Sequence, residues 1–154
     1  MRIIRGLPSH AETPVALTIG NFDGVHRGHQ AMLDRLTEAA EDLRLAPVVL
    51  TFDPHPREFL APGRAPPRVC GRRDKFERFA ALGVARTIVA RFDATLAQMS
   101  PQAFVDDVLV RRLGTRWVLV GDDFRFGKER AGDLAVLRRC ARTFSVEAMA
   151  SVDI

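Results

Sequence analysis

The sequence predicts an α/β domain in which a parallel β-sheet is covered by helices on both faces. Two observations lead to this prediction. Short apolar runs rich in β-branched residues are typical of strands buried on both sides, and amphipathic segments separate them. Strands and helices therefore alternate along the 154 residues, as in sheets built with right-handed crossovers. Ligands of such sheets bind outside the carboxyl ends of the strands, so functional residues are expected in the loops there.

Five segments are predicted as strands because each is short, apolar and bounded by turn residues. They are VALTI at residues 15–19, VVLTF at 48–52, RTIVA at 86–90, WVLV at 117–120 and FSVEAM at 144–149.

Four segments are predicted as helices, at residues 30–43, 74–82, 101–113 and 134–142. In the first, apolar residues recur at steps of three and four, as on one face of a helix. Gly83 follows the second segment as expected of a glycine that ends a helix. Ser100 and Pro101 open the third as an N-cap and a first-turn proline.

The composition favours a single globular domain with an anionic partner. The chain is 47% hydrophobic and 27% charged, with a formal net charge of +4 and a pI of about 10.0. A modest positive excess suits a nucleotide or phosphate ester. Nucleic acid is disfavoured because no RNP-like motif, recognition helix or zinc finger is present. Two cysteines without metal-binding spacing, and no apolar run near the length of about 18 residues that spans a membrane, predict a cytoplasmic protein without a membrane partner.

The loop after the first predicted strand reads GNFDGVHRGH, at residues 20–29. Its glycines permit tight turns, and the following helix offers unpaired N–H groups and a positive dipole to an anion. His26 and His29, on either side of Gly28, can aim two imidazoles at one phosphate. The loop matches neither GxGxxG nor GxxxxGK[ST], which argues against the dinucleotide-binding motif and the P-loop. We therefore predict a phosphate-binding turn.

The loop after the second predicted strand reads TFDPHP, at residues 51–56. Prolines on both sides hold His55 in an extended backbone. From these residues alone, the segment is either a rigid pocket wall or a proline-stiffened turn.

The loop after the fourth predicted strand reads GDDFRFGKERAGD, at residues 121–133. Phe124 or Phe126 can stack on a ring, and Arg125, Lys128 or Arg130 can contact phosphate. One of the two phenylalanines is also expected to fill the core. The composition of this loop suits a nucleotide site.

Four segments together resemble the adenylyltransferase module of the prokaryotic bifunctional riboflavin kinase/FAD synthetase family, within the HxGH nucleotidyltransferase superfamily. They are GNFDGVHRGH at 20–29, TFDPHP at 51–56, SPQAFV at 100–105 and VGDDFRFGKERAGD at 120–133. HxGH alone specifies only the superfamily, and the second and third loops point to the flavin branch. The resemblance implies a Rossmann-like fold and the transfer of AMP from ATP to FMN, which gives FAD and pyrophosphate with the help of Mg²⁺.

The resemblance also implies roles for individual residues. His26 and His29 would hold the ATP phosphates, with Gly28 leaving space for them, and Asp123 lies where the family has a polar residue beside the substrates. The nucleotide pocket would be shaped by Gly20, Asn21, Phe22 and Asp23. The flavin would be bordered by Pro54, His55, Pro56 and Phe126. Which carboxylate contacts Mg²⁺, if any, stays open.

The family module continues into a Ser-Ser-Thr-x-x-Arg type motif and is normally fused to a riboflavin kinase domain. Residues 151–154 read SVDI, and neither feature follows. The sequence therefore predicts that residues 1–154 are an FMN adenylyltransferase domain truncated at its C-terminal end, with the kinase domain absent. Whether such a chain is active stays open.

Three other functions are compatible with parts of the sequence. The first is another HxGH nucleotidyltransferase that uses CTP or a different phosphorylated acceptor. The second is a non-catalytic flavin- or nucleotide-binding fragment. The third is a metal phosphoesterase built on Asp53, His55, Asp122 and Asp123, which has too few ligands at recognisable spacings.

Overall fold

The computed structural model of the chain describes residues 1–22, 27–54, 56 and 72–150. These residues form one sheet of six strands in the order β1-β4-β3-β2-β5-β6, and every neighbouring pair is parallel. The strands are β1 (Arg2–Arg5), β2 (Val15–Ile19), β3 (Ala46–Asp53), β4 (Arg86–Arg91), β5 (Thr115–Gly121) and β6 (Ser145–Met149).

Helices connect the strands. They are α1 (Arg27–Leu43), α2 (Arg72–Ala81), α3 (Ala94–Ala97), α4 (Pro101–Ala103), a π-helix that continues α4 (Phe104–Arg112), a 3₁₀-helix (Lys128–Arg130) and α5 (Leu134–Cys140). No helix within the described part of the chain is long and apolar enough to cross a membrane.

Local sequence signals place most of these elements. Strand β2 has the predicted bounds, and the other four predicted strands are found within a few residues of theirs. The Ser100 side chain accepts a hydrogen bond from the Ala103 N–H at 3.1 Å, with Pro101 in the first helical turn, as predicted. Gly83, at φ 95°, ends α2 in the left-handed conformation. Strand β1 was not predicted, because two isoleucines flanked by arginines in a four-residue edge strand carry little hydrophobic signal.

Two separate apolar cores lie on the two faces of the sheet. Along β2, Val15, Leu17 and Ile19 belong to one core, which the π-helix and α5 cover. Ala16 belongs to the other core, which α1 and α2 cover. This alternation follows from the period of two in a strand. It confirms the predicted parallel sheet with helices on both faces.

Strand β2 lies where the direction of chain progression reverses. The chain runs from β2 to β3 and β4 on one side, and then returns to β5 and β6 on the other. The loops after β2 and β5 therefore leave the sheet side by side and diverge, which opens a crevice at the carboxyl edge. Two of the three loops singled out by the sequence, those at residues 20–29 and 121–133, begin at this crevice.

A two-point ion pair fastens α1 to the edge strand β6. Arg35 donates from Nε to Glu147 Oε2 at 2.6 Å and from Nη2 to Glu147 Oε1 at 2.8 Å. Its guanidinium also lies 5.7 Å from the centroid of the Trp117 ring. The hydrogen bond from Arg35 lowers the pKa of the Glu147 carboxyl, against an opposing effect of burial.

We predict that this pair makes the stability of the fold depend on acid pH. Because the pKa of Glu147 is lower in the folded chain than its ordinary value of 4.5, its stabilising effect is present above that value and is lost as the pH falls below it. In Glu147→Gln the free energy of unfolding should fall less on acidification, because the side chain no longer titrates. At neutral pH the substitution should reduce the free energy of unfolding by about 0.5–1 kcal/mol, because the ion pair is lost. Urea unfolding at neutral and acid pH measures both effects. Glu38→Gln is the control, since the exposed Glu38 also contacts Arg35, at 2.9 Å. Equal acid sensitivity in the parent and in Glu147→Gln would contradict the prediction.

Candidate functional site

The turn after β2 is fastened to the end of β3. The Gly20 N–H donates to the Leu50 carbonyl at 3.0 Å. Asn21 Oδ1 accepts hydrogen bonds from Thr51 Oγ1 and from the Phe52 N–H, both at 3.1 Å. A Cβ atom at Gly20 would stand 3.0 Å from the ring of Phe22, so a larger residue here would crowd that ring. The backbone path from β2 towards α1 is therefore set by β3.

Phe22 packs directly against one of the predicted phosphate-binding histidines. Its backbone has a φ of 53°, a conformation that is uncommon for a residue other than glycine. Its ring is buried and meets His29 edge-on, with centroids 5.0 Å apart and an interplanar angle of 79°. On its other side it meets Phe79 of α2 at 5.7 Å and 86°. Phe22 thus forms a wall that supports the His29 ring.

The first turn of α1 carries Gly28 and His29, the former buried and the latter half-buried. The N–H groups of a first helical turn have no partner within the helix, and the helix dipole favours an anion there. His26 and Asp23, predicted for the same loop, lie outside the described residues.

Sequence reasoning missed Lys75 of α2, which is only 8% exposed. Its ammonium donates a hydrogen bond to the Asn21 carbonyl at 2.8 Å. The segment RRDKFER looks like a solvated helix face. The available signal was the spacing of Lys75 and Phe79, which places both on one face of the helix.

The loop after β5 folds back on itself around Phe126. The backbone of Phe126 exchanges two hydrogen bonds with Gly132, at 3.0 and 2.8 Å. The Phe126 ring is 6% exposed and packs on Phe104 at 5.6 Å. Phe124 is half-buried and lies nearly parallel to it, with centroids 5.4 Å apart and an angle of 11°. Phe126 is therefore the phenylalanine that fills the core, and Phe124 is the more accessible ring.

A cavity of about 340 Å³ opens between this loop, the end of β3 and the segment after β4. Its apolar wall is formed by Phe52, Phe92, Leu96, Phe104, Phe124 and Phe126. The exposed side chains of Arg125, Lys128 and Arg130 are also part of its lining. This volume falls within the range found for small-molecule binding sites. An apolar lining with a few charged groups is also typical of such sites.

The structure brings some predicted flavin-side residues to the cavity and not others. Pro56 and Phe126 line it. Pro54 is half-buried just after β3 and is joined to Asp53 by a cis peptide bond. It is not among the described residues that line the cavity. Asp123 is exposed in the turn after β5 and is also outside that set. His55 lies outside the described part of the chain.

Metal-binding side chains do not cluster in the described part of the chain. No group of three or more His, Cys, Asp or Glu side chains there is placed to hold a metal ion. Asp122 and Asp123 are neighbouring exposed carboxylates, and Asp53 lies at the end of β3.

The fold and this edge define an α/β protein with Rossmann-like topology, a glycine-rich turn at the switch point and an aromatic cavity beside it. Residues 9–154 match the family model for FAD synthetase. The chain belongs to the FAD synthetase family, as its motifs predicted.

Two curated relatives are bifunctional enzymes of about twice this length. The chain is 39% identical over 150 residues to the bifunctional riboflavin kinase/FMN adenylyltransferase of Escherichia coli strain K12, covering 96% of this chain and 48% of that protein. It is 42% identical over 160 residues to the protein of the same name from Pseudomonas fluorescens, covering 100% of this chain and 50% of that protein. The chain thus spans about half the length of these relatives.

A solved structure shares the fold. The crystal structure of a macrolide-efflux protein from Streptococcus pneumoniae superposes with a TM-score of 0.86 and 21% sequence identity, over 100% of this chain and 53% of that chain. At this identity the likeness shows the fold alone.

We predict that Gly132 is required for the shape of the loop after β5. A Cβ atom there would lie 2.7 Å from Phe126 Cε1, and the buried ring has little room to move. Gly132→Ala should therefore reduce the free energy of unfolding by about 1–3 kcal/mol, as other overpacking substitutions do. Denaturant unfolding measures the effect.

A double-mutant cycle separates this clash from a general effect of replacing glycine. In a Phe126→Leu background the ring edge is gone, so Gly132→Ala should cost much less, with a coupling energy of about 0.5–3 kcal/mol. Equal costs in the two backgrounds would show that the ring does not determine the choice of glycine.

Proposed function

We propose that this chain is an FMN adenylyltransferase domain, which transfers AMP from ATP to FMN to give FAD and pyrophosphate. The observation that carries the proposal is the position of two unlike subsites at one edge of the sheet. The first turn of α1, which we propose binds phosphate, and an aromatic cavity beside the loop after β5 lie on either side of the end of β2. Membership of the FAD synthetase family supports this reading.

The two subsites lie on opposite faces of the sheet. Phe22, which supports His29, belongs to the core under α1 and α2. Phe104 and Phe126 belong to the other core, and Phe124 packs against it. The flat apolar ring of FMN would lie in the cavity, where aromatic side chains favour stacking with such a ring. The phosphates of ATP would lie at the turn, so that the two substrates meet at the carboxyl end of β2.

The chemistry needs positioning more than acid–base catalysis. An anionic oxygen of the FMN phosphate attacks the α-phosphorus of ATP and forms the new P–O bond. The bond from that phosphorus to the bridging oxygen breaks, and pyrophosphate leaves with the electron pair. Because the nucleophile is already an anion, no strong base is required. Donors that stabilise negative charge on the phosphates supply the main effect.

Several residues are proposed to supply this stabilisation. His26 and His29 would donate hydrogen bonds to the ATP phosphates, and Gly28 would let the phosphates approach the backbone. The N-terminus of α1 adds its N–H groups and dipole. Asp123 is proposed to lie beside the substrates.

Binding roles follow the two subsites. The nucleotide pocket is proposed to be shaped by Gly20, Asn21, Phe22 and Asp23. The flavin is proposed to be bordered by Pro54, His55, Pro56 and Phe126. The support is strongest for Pro56 and Phe126, since both line the aromatic cavity.

Mg²⁺ is proposed to enter with ATP. Mg²⁺ keeps several water ligands and is commonly held by substrate phosphates with one or two carboxylates. Asp122 and Asp123 are the carboxylates at the end of β5 that could face it. When bound, the ion would neutralise charge on the phosphates.

We further propose that residues 1–154 are the adenylyltransferase part of a longer cytoplasmic protein that also carries a riboflavin kinase domain. The support is the name of the E. coli and P. fluorescens relatives, of which this chain spans about half.

We predict that His29→Ala lowers the rate of FAD formation about 10²–10³-fold, the usual loss when one preorganised donor to a developing charge is removed. The rate is measured by chromatographic detection of FAD from FMN, ATP and Mg²⁺. FMN binding, followed by quenching of flavin fluorescence, should be unchanged because His29 is on the other face of the sheet from the cavity. His10→Ala is the matched control, since His10 is an exposed histidine near the amino terminus.

The outcomes separate the candidate functions. FAD made by the parent chain would exclude a non-catalytic binding fragment. Transfer of a nucleotide to glycerol phosphate or phosphopantetheine, without transfer to FMN, would favour another HxGH transferase. If the chain makes no FAD, the assay is repeated on the longer protein, and continued absence of FAD there would contradict the proposal.

We also predict that Phe124→Leu weakens FMN binding and leaves the KM for ATP unchanged. Loss of one aromatic stacking contact costs about 0.5–1.5 kcal/mol. Phe124 is the accessible ring of the stacked pair, so its replacement disturbs the core less than that of Phe126. Fluorescence titration with FMN measures the change. An equal loss of affinity for ATP and FMN would contradict the prediction that the Phe124 ring stacks on the flavin.

A further inference from the structure

Lys75 is buried, whereas the other charged side chains that the structure describes on the same helix face solvent. It is 8% exposed, whereas Arg73, Asp74, Glu77 and Arg78 of the same helix are exposed. A buried ammonium costs much free energy unless strong hydrogen bonds offset its loss of water. One such bond is made to the Asn21 carbonyl at 2.8 Å. Lys75 therefore has a defined structural role, unlike the exposed charged side chains of this helix, which keep its surface soluble.

Helix α2 holds two successive residues of the turn after β2. Lys75 and Phe79 lie four residues apart, on one face of the helix. Lys75 bonds to the Asn21 carbonyl, and the fully buried Phe79 packs edge-on against Phe22. Phe22 has a left-handed backbone, which persists in a residue other than glycine only when its surroundings fix it. The contacts of Lys75 and Phe79 therefore help to hold Phe22 in its left-handed conformation.

The turn in turn supports His29. The side-chain oxygen of Asn21 accepts hydrogen bonds from the Thr51 hydroxyl and the Phe52 N–H. Its backbone carbonyl accepts a hydrogen bond from the Lys75 ammonium. The next residue, Phe22, presents its ring edge-on to His29. A change at Lys75 therefore reaches the histidine ring through two directly connected contacts.

We infer that Lys75 is a positioning residue, which fixes the turn of Gly20, Asn21 and Phe22 through the Asn21 carbonyl and thereby orients the His29 ring at the anion-binding turn. The kinetic consequence rests on the proposed function, whereas the effect on the ring of His29 does not. Losing the ammonium should let the turn shift and the ring tilt. The aromatic cavity should keep its affinity for FMN, since it belongs to the other core.

The test is Lys75→Met, which keeps the apolar stem and removes the ammonium. Arg78→Met is the matched control, because it removes an exposed cation from the same helix. In the ligand-free chain, the His29 ring resonances should shift in Lys75→Met and stay in place in Arg78→Met. In turnover, kcat should fall on the order of tenfold to hundredfold with a raised KM for ATP, as misplaced catalytic groups produce. The FMN dissociation constant should not change.

The outcomes distinguish this inference from the proposed function. A folded Lys75→Met chain with unchanged His29 resonances and an unchanged KM for ATP would overturn the positioning role, even if the parent makes FAD. If neither the parent nor the longer protein makes FAD, a shift of the His29 resonances would still support the role. Where Lys75→Met does not fold, Lys75→Gln keeps an N–H donor on a shorter side chain and should move the same resonances by less. Unchanged resonances in that variant would equally overturn the inference.

Discussion

Strand β2 is hydrogen bonded to β3 on one edge and to β5 on the other, and all five of its residues are buried. The positions of the loops after β2 and β5 depend on this pairing. The pairs of Ile19 with Leu50 and of Thr18 with Leu119 fix where β2 ends relative to its neighbours. The buried Thr18 hydroxyl donates to the Leu119 carbonyl at 2.8 Å and satisfies a polar group that would otherwise destabilise this register. The turn to α1 and the loop after β5 therefore start at nearly the same level.

Asn21 joins the two faces of the sheet at that edge. Its side chain bonds to the Phe52 N–H, and Phe52 lines the aromatic cavity. Its carbonyl bonds to Lys75 under the opposite face. One residue is thus bonded to the backbone of a cavity-lining residue and to the buried lysine of α2, so it connects the cavity with the turn that leads to α1.

The parts of the fold that the sequence predicted are those set by local signals. The bounds of β2 follow from five apolar residues between turn residues, and Ser100 and Gly83 cap their helices by bonds or backbone geometry within a few residues. Strand β1 escaped prediction because its place depends on pairing with β4, which is far away in sequence. Lys75 escaped for the same reason, since its burial is created by the packing of α2 on the turn after β2. The cavity wall contributed by Phe92 and Leu96 carries no motif at all, and only the sheet order brings it near Phe126.

Backbone strain concentrates at the same edge of the sheet. Among the described residues, four other than glycine have a positive φ: Phe22 at 53°, Arg44 at 57°, Glu129 at 57° and Arg130 at 55°. Arg44 only follows the end of α1, but the other three lie in the loops after β2 and β5. The loop after β5 is held in this form by the hydrogen bonds between Phe126 and Gly132 and by the hydrogen bond from the Lys128 N–H to the Met99 carbonyl at 2.7 Å. Such conformations persist where surrounding contacts enforce them, and they are common where a chain must present groups to a ligand. Here the enforced form places Lys128, Glu129 and Arg130 in the lining of the cavity, so the backbone of this loop determines which charged side chains stand beside the apolar wall.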